Sequence, residues 1–339
     1  MTVRPLFGGP IGPLLALLTL MSLPRSVLAQ ASMIDVGGYN LEYRLHGTDG
    51  PVVIFLNGGA APMGYWSQVA DGLTNHARIL TYERAGHGRS EMGREPRHGA
   101  NVADELRALL SALHLPGPYF LVAHSAGCLY ARIFVSRFSQ SVGGVLLIEP
   151  GDKPFLDAFG TKHLSGLEHR QWEDLWERTW SRLAQGGDAY GMEVRAKEET
   201  LGQIQGSLFP PEVPLTVVSA VDNSRPDWFL AELSPGSIEE FYRRKVAFHE
   251  DLARASLEGQ QVTAHGAPHA VHEEQPELVI RLILEGMAGR GGGVGSPDPS
   301  DTELSDRAFG LVLRRGMGEC RSPAVDNRTA RSTHRRAGG

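Results

Sequence analysis

The run Ala123-His124-Ser125-Ala126-Gly127 lies between an apolar stretch, residues 119–123, and a stretch with helical spacing that continues to Phe138. A serine on a sharp strand-to-helix turn has its hydroxyl pushed out beyond the carboxyl edge of a sheet, where it can attack a carbonyl carbon. The turn brings strand and helix backbones close together, so the positions two before and two after the serine must be small. Ala123 and Gly127 meet that need. The start of a helix also favours negative charge developing beside Ser125.

Nucleophilic serine chemistry needs three further groups: donors for the oxyanion, a base, and a group that orients the base. Asn57-Gly58-Gly59-Ala60 follows the apolar run 51–56. Its glycines let backbone N–H groups approach a substrate oxygen, so the N–H of Gly59 or Ala60, with that of Ala126, could form the oxyanion hole. The base must come after the last strand, on a loop that reaches back to the serine. His269, in Gly266-Ala-Pro-His-Ala-Val-His-Glu-Glu-Gln-Pro276, fits. His265, His269 and His272 are spaced by four and three, which on a helix would suggest metal ligands. Pro268 interrupts any such helix, and no carboxylate or cysteine completes a set, so no metal is expected and His272 reads as structural. For the orienting acid, the loop after the apolar run 214–218 offers Asp222 first and Asp227 five residues on. Glu149, at the end of the run 145–148, is the alternative.

These groups need a scaffold that gathers several strand ends. Residues 33–36 and 41–45 read as a hairpin around Gly37-Gly38. Apolar runs at 51–56, 78–82, 119–123, 145–148, 214–218 and 261–264 read as strands. Helical spacing falls near 66–73, at 101–113 and 126–138, and in a closing helix 277–287 with Pro276 in its first turn. This alternation predicts an α/β fold with a mostly parallel central sheet and helices on both faces. Residues 151–210 break the pattern and read as a small helical lid insertion. Trp172, Trp176 and Trp180 recur every fourth residue there, a stripe that can glue the lid to the body and roof an apolar pocket. Trp172 and Trp176 are the pocket residues it nominates.

The chain has 339 residues and a formal charge of −6, with pI about 6.1. There is no basic excess to neutralise phosphates, so nucleic-acid binding is not expected. The two cysteines, Cys128 and Cys320, cannot build a disulfide framework or a four-thiolate zinc site. Cys128 reads as a buried helix residue. Residues 1–29 have the form of a signal peptide: Arg4, an apolar run at 14–23, then Val27-Leu28-Ala29 for cleavage near Ala29. The run is too short for stable membrane insertion, and Pro24 and Arg25 end it. Residues 290–339 are a Gly- and Arg-rich tail with 9 Arg against 6 Asp and Glu, and its composition predicts disorder. The body, 30–289, is then one domain.

Three segments carry a resemblance. Arg78-Ile-Leu-Thr-Tyr-Glu-Arg-Ala-Gly-His-Gly-Arg-Ser90, Pro116-Gly-Pro-Tyr-Phe-Leu-Val-Ala-His-Ser-Ala-Gly127 and His269-Ala-Val-His-Glu-Glu-Gln-Pro276 resemble the α/β-hydrolase superfamily, in particular small bacterial serine hydrolases and esterases. The resemblance covers about residues 33–288. It implies Ser125 as nucleophile and His269 as base. Three positions depart from the usual pattern: Ala123 for Gly, Asn57 for His, and Glu83 for Asp in a carboxylate that braces the turn before Arg84. A serine at 125 argues against the epoxide-hydrolase and dehalogenase branches, which use Asp there. The expectation is an exported serine hydrolase that cleaves small apolar carboxylic esters through an acyl-enzyme, without a cofactor. Aminopeptidase, lactonase or acyltransferase chemistry, or a ligand-binding protein of the same fold, are the alternatives.

Overall fold

The apolar runs become the middle of an eight-stranded sheet. A computed structural model describes residues 30–289 apart from Thr48, Asp152 and Ser207; the expected signal peptide, 1–29, and the tail, 290–339, lie outside the described residues. The strands are β1 (Ser32–Asp35), β2 (Asn40–His46), β3 (Val52–Leu56), β4 (Arg78–Tyr82), β5 (Tyr119–His124), β6 (Val142–Ile148), β7 (Leu215–Val221) and β8 (Gly259–His265), in spatial order 1-2-4-3-5-6-7-8. β1 and β2 form the antiparallel hairpin, β2 pairs antiparallel with β4, and the remaining pairs are parallel. Every residue of β3 and β5 is buried, as uninterrupted apolar strands covered on both faces must be.

The helices are α1 (Ser67–Leu73), α2 (Gly99–Ala112), α3 (Gly127–Phe138), α4 (Lys153–His163), α5 (Gly166–Ala184), α6 (Ala189–Arg195), α7 (Lys197–Gln205), α8 (Pro235–Ala253), α9 (Val271–Glu274) and α10 (Pro276–Ala288). Val102, Leu106, Leu129 and Phe134 of α2 and α3 join one core with the sheet. Val69, Leu73, Val279 and Leu282 of α1 and α10 join another. Four helices, α4 to α7, fill the interval between β6 and β7 where the lid was expected. Among the described residues no helix is long and apolar enough to cross a membrane.

The sequence reading left the interval between β7 and β8 empty, and α8 occupies it. Its apolar positions are diluted by charge, but Phe241, Lys245 and His249 recur every fourth residue and are all buried. Because the strands from β3 to β8 run parallel apart from the edge hairpin, their carboxyl ends lie along one rim. The in-register pairs Leu56↔Ala123 and His124↔Ile148 bring the loops after β3, β5 and β6 side by side. The loops after β7 and β8 continue the row.

Candidate active site

Ser125 stands at φ 51°, in the left-handed region, directly after β5. A side chain there is strained, and such strain persists where the surroundings over-determine it. The Ser125 N–H donates to Ile148 O at 3.0 Å, which extends the β5–β6 ladder into the turn. A Cβ on Gly127 would lie 2.5 Å from Leu56 O and 2.6 Å from Asn57 O, so only glycine fits under this turn. Ala123 is fully buried and its methyl is accommodated. The N-cap of α3 is Ala126, without a side-chain cap, and Ser125 and Ala126 both line a cavity of about 310 Å³ at the rim.

His269 lines the same cavity from the loop after β8. Its Nδ1 faces Glu149 Oε2 at 3.3 Å. Glu149 follows β6, is 4% exposed, and also has a left-handed φ, 48°. Its Oε1 accepts the Ala220 N–H at 2.7 Å, and its Oε2 accepts Lys245 Nζ of α8 at 2.9 Å. Burial alone would raise this carboxyl's pKa. The Lys245 ammonium, with His269, instead brings it well below the usual carboxylate range.

The acid expected first, Asp222, does not reach His269. Its Oδ1 accepts the Ser224 N–H and hydroxyl and the Arg225 N–H, and its Oδ2 accepts Arg225 Nε. A short carboxylate at the start of a loop is captured by the donors two and three residues on. The longer Glu149 side chain, one strand closer to Ser125, takes the place beside the imidazole. Asp227 is also near: its Oδ1 accepts the His269 backbone N–H at 3.3 Å, and burial pushes its carboxyl up. Ligand atoms of Glu149, Asp227 and His269 lie within 4.8 Å of one another. That spacing could suit a cation, but Lys245 already places an ammonium against Glu149.

The loop after β3 is locked from beneath. Trp66 Nε1 donates to Asn57 Oδ1 at 2.7 Å, and Asn57 Nδ2 donates to Tyr82 O at 3.2 Å, so Asn57 is a brace and not a donor to the cavity. A Cβ on Gly58 would meet Ser125 Cβ at 3.3 Å, so this backbone passes next to the serine. Gly59 packs under the Tyr190 ring of α6, and Ala60 is exposed. Glu83 accepts the Met63 N–H at 2.8 Å and performs the bracing expected of a carboxylate there.

The tryptophan stripe divides. Trp172, expected in the pocket, is 4% exposed and packs against Phe159 and Phe241, with its Nε1 donating to Leu156 O. Trp176 and Trp180 line the cavity, their rings stacked at 5.6 Å, with Phe155, Leu183 and Phe229 among their companions. The helical twist carries the first of the three inward and leaves the later two over the opening. Trp176 Nε1 is buried without a hydrogen-bond partner.

The other histidines diverge from His269. His265 is exposed at the end of β8. His272 is buried in α9 between the rings of Trp66 and His124, and burial lowers its pKa to about 4. His124 Nε2 pairs with His269 O at 3.0 Å and steadies that loop. Cys128 is buried, its thiol donating to Ala123 O, and burial pushes its pKa up. Lys245, Tyr190 and Arg84 were not expected as site residues, and none of the three carries a local sequence signal for that role.

A strained serine at the end of a buried parallel strand, with a histidine and an acid at neighbouring strand ends, is the layout of an α/β hydrolase. A family model described as "alpha/beta hydrolase fold" matches residues 51–199. The uncharacterised protein YqjL of Bacillus subtilis is 24% identical over 255 residues, spanning 74% of this chain and 89% of that one. Among solved structures, Cfl2 of Burkholderia cenocepacia aligns with TM-score 0.54 at 20% identity, covering 77% of this chain and 97% of that one. A haloalkane dehalogenase variant, DbeA of Bradyrhizobium elkanii, aligns with TM-score 0.56 at 18% identity, covering 77% and 96%. The matched region and the eight-stranded fold support the α/β-hydrolase superfamily.

Proposed function

We propose that the protein is a serine hydrolase of small apolar carboxylic esters. Ser125 attacks the ester carbonyl while His269 takes its proton. Glu149 holds the imidazole and stabilises its protonated form. N–H groups of Ala126 and of the 58–60 loop receive the oxyanion. Collapse of the tetrahedral intermediate expels the alcohol, which His269 protonates, and water then releases the acyl group by the same path.

The observation that carries this reading is the pairing of a left-handed Ser125 with His269 on one cavity wall, His269 being backed by Glu149 at 3.3 Å. The aromatic wall and the volume of about 310 Å³ support a compact apolar acyl or aryl group.

A fluorophosphonate probe followed by peptide mass spectrometry tests it. The adduct is expected on Ser125 and lost in His269→Ala, and ester turnover is expected to vanish in Ser125→Ala. Unchanged turnover by Ser125→Ala would overturn the assignment. We further infer export through residues 1–29, supported by their sequence pattern. Protein recovered outside the cytoplasm should begin at Gln30; an intact Met1 on that protein would refute cleavage.

A further inference from the structure

Arg84 is 2% exposed and lies beneath the loop after β3. Its Nη1 donates to Asn57 O at 2.8 Å, and its Nη2 donates to Gly59 O at 2.7 Å and reaches Gly58 O at 3.5 Å. Three consecutive carbonyls therefore turn toward one cation. A trans peptide is planar, with its C=O and N–H pointing in opposite directions. Gripping Asn57 O and Gly59 O thus aims the N–H groups of Gly58 and Ala60 away from the guanidinium. The bonds are charge-assisted, so they hold those peptides more firmly than neutral partners would.

What holds Arg84 comes from the lid. Glu193 of α6 accepts Nε at 2.8 Å on Oε1 and Nη2 at 2.9 Å on Oε2, a bidentate pair buried on both sides. His87 Nε2 lies 3.2 Å from the same Oε1, and the guanidinium sits over the Tyr130 ring at 5.1 Å. One helical turn earlier on α6, Tyr190 covers Gly59. The lid helix thus reaches the loop in two ways, directly through the Tyr190 ring and indirectly through Glu193 and Arg84.

We propose that Arg84 is a positioning residue for the oxyanion loop and that Glu193 couples its hold to the seating of the lid. The inference rests on the serine-hydrolase reading above. A fork with donors on both edges is required, because a lysine ammonium cannot span the carboxylate and the carbonyls in one plane. When α6 lifts, Arg84 loses its carboxylate and the loop peptides lose their fixed orientation. Transition-state stabilisation then falls while the apolar cavity wall still binds substrate.

The test compares wild type, Glu193→Gln and Arg84→Lys at a temperature where circular dichroism shows each folded. Two readouts are taken on a short-chain ester: kcat and KM separately, and inhibition by a trifluoromethyl ketone, whose adduct on a serine carries an oxyanion. Both variants are expected to lose kcat by about 10- to 100-fold, somewhat less than deleting a donor outright, and to weaken ketone inhibition by a similar factor. KM is expected to stay within about threefold, as for an interaction made only in the transition state. Unchanged ketone affinity, or a loss confined to KM, would overturn the proposal. Glu193→Gln keeps the side-chain shape and carries the test if Arg84→Lys does not fold. A wild-type protein with neither ester turnover nor ketone binding at Ser125 would instead refute the serine-hydrolase reading, and this inference with it.

Discussion

Lys245 Nζ and His269 Nδ1 share a single oxygen, Glu149 Oε2, at 2.9 and 3.3 Å. The carboxylate is therefore held ionised from behind by a buried ammonium and faces the imidazole in front. On the proposed triad, replacing Glu149 by Gln removes the charge that orients and stabilises His269, and turnover is expected to fall on the order of 10³- to 10⁴-fold. Asp222→Asn is expected to leave kcat within about threefold, because its carboxylate serves only its own loop. Steady-state ester hydrolysis by the two variants checks both; the reverse ranking would return the acid role to Asp222.

Lys245→Met leaves Glu149 buried beside a thioether. Breaking a buried pair on one side costs about 3–5 kcal/mol, because the remaining buried charge loses its cationic partner. Urea denaturation should show that loss. The double variant with Glu149→Gln should recover part of it, since the stranded charge is gone. Additive losses would mean that the two groups are not energetically coupled.

Much of the site was legible because its backbone requirements are local. The elbow announces itself through Ser125 between small residues after a buried strand, and His269 through its place after the last strand. The acid was not legible in this way. Asp222 and Glu149 both follow strands, and the choice turns on which carboxylate its own loop satisfies first, a property of turn geometry that spacing does not encode. Helix α8 was hidden because Lys245 reads as a surface residue until its partner Glu149 is known. The Arg84–Glu193 pair spans 109 positions and leaves no trace in any local pattern.

The elbow makes a prediction about size. Gly127→Ala would put a methyl 2.5 Å from the Leu56 carbonyl oxygen, against backbone that cannot swing away. Overpacking of this kind costs typically 1–3 kcal/mol, and the displaced turn should lose turnover with it. Ala123→Gly should retain activity and lose only about 0.5–1 kcal/mol, the backbone-entropy cost of a strand glycine. Thermal melts with parallel ester assays separate the two, and an active, stable Gly127→Ala protein would refute the packing account.

The two tryptophans should fail differently. Trp172→Ala empties a buried aromatic cluster and is expected to destabilise by about 3–5 kcal/mol. Trp176→Ala alters the cavity wall and should raise KM for bulky or aryl esters with a smaller change in stability. Denaturation midpoints and KM across an ester series of increasing size distinguish them. Equal effects on stability, with KM untouched, would remove Trp176 from the binding wall.

His272 makes stability depend on acid. Its ring lies 4.3 Å from Trp66 and 4.6 Å from His124, and burial lowers its pKa from 6.5 to about 4. The unfolded chain therefore binds a proton at this residue below about pH 6.5, whereas the folded one does so only near pH 4. Stability is present in full above pH 6.5 and is lost as pH falls through that window. The whole shift is worth about 3 kcal/mol, reached only at its lower end. His249, also lowered to about 4 by burial, adds a second contribution of the same sign. His272→Phe keeps an aromatic ring against Trp66 and removes the titrating group. Urea unfolding at pH 7.5, 6 and 5 should show a clear decline in the wild type and a shallower one in the variant, with the His249 share remaining. Parallel curves for the two proteins would show that His272 does not titrate on unfolding in this range.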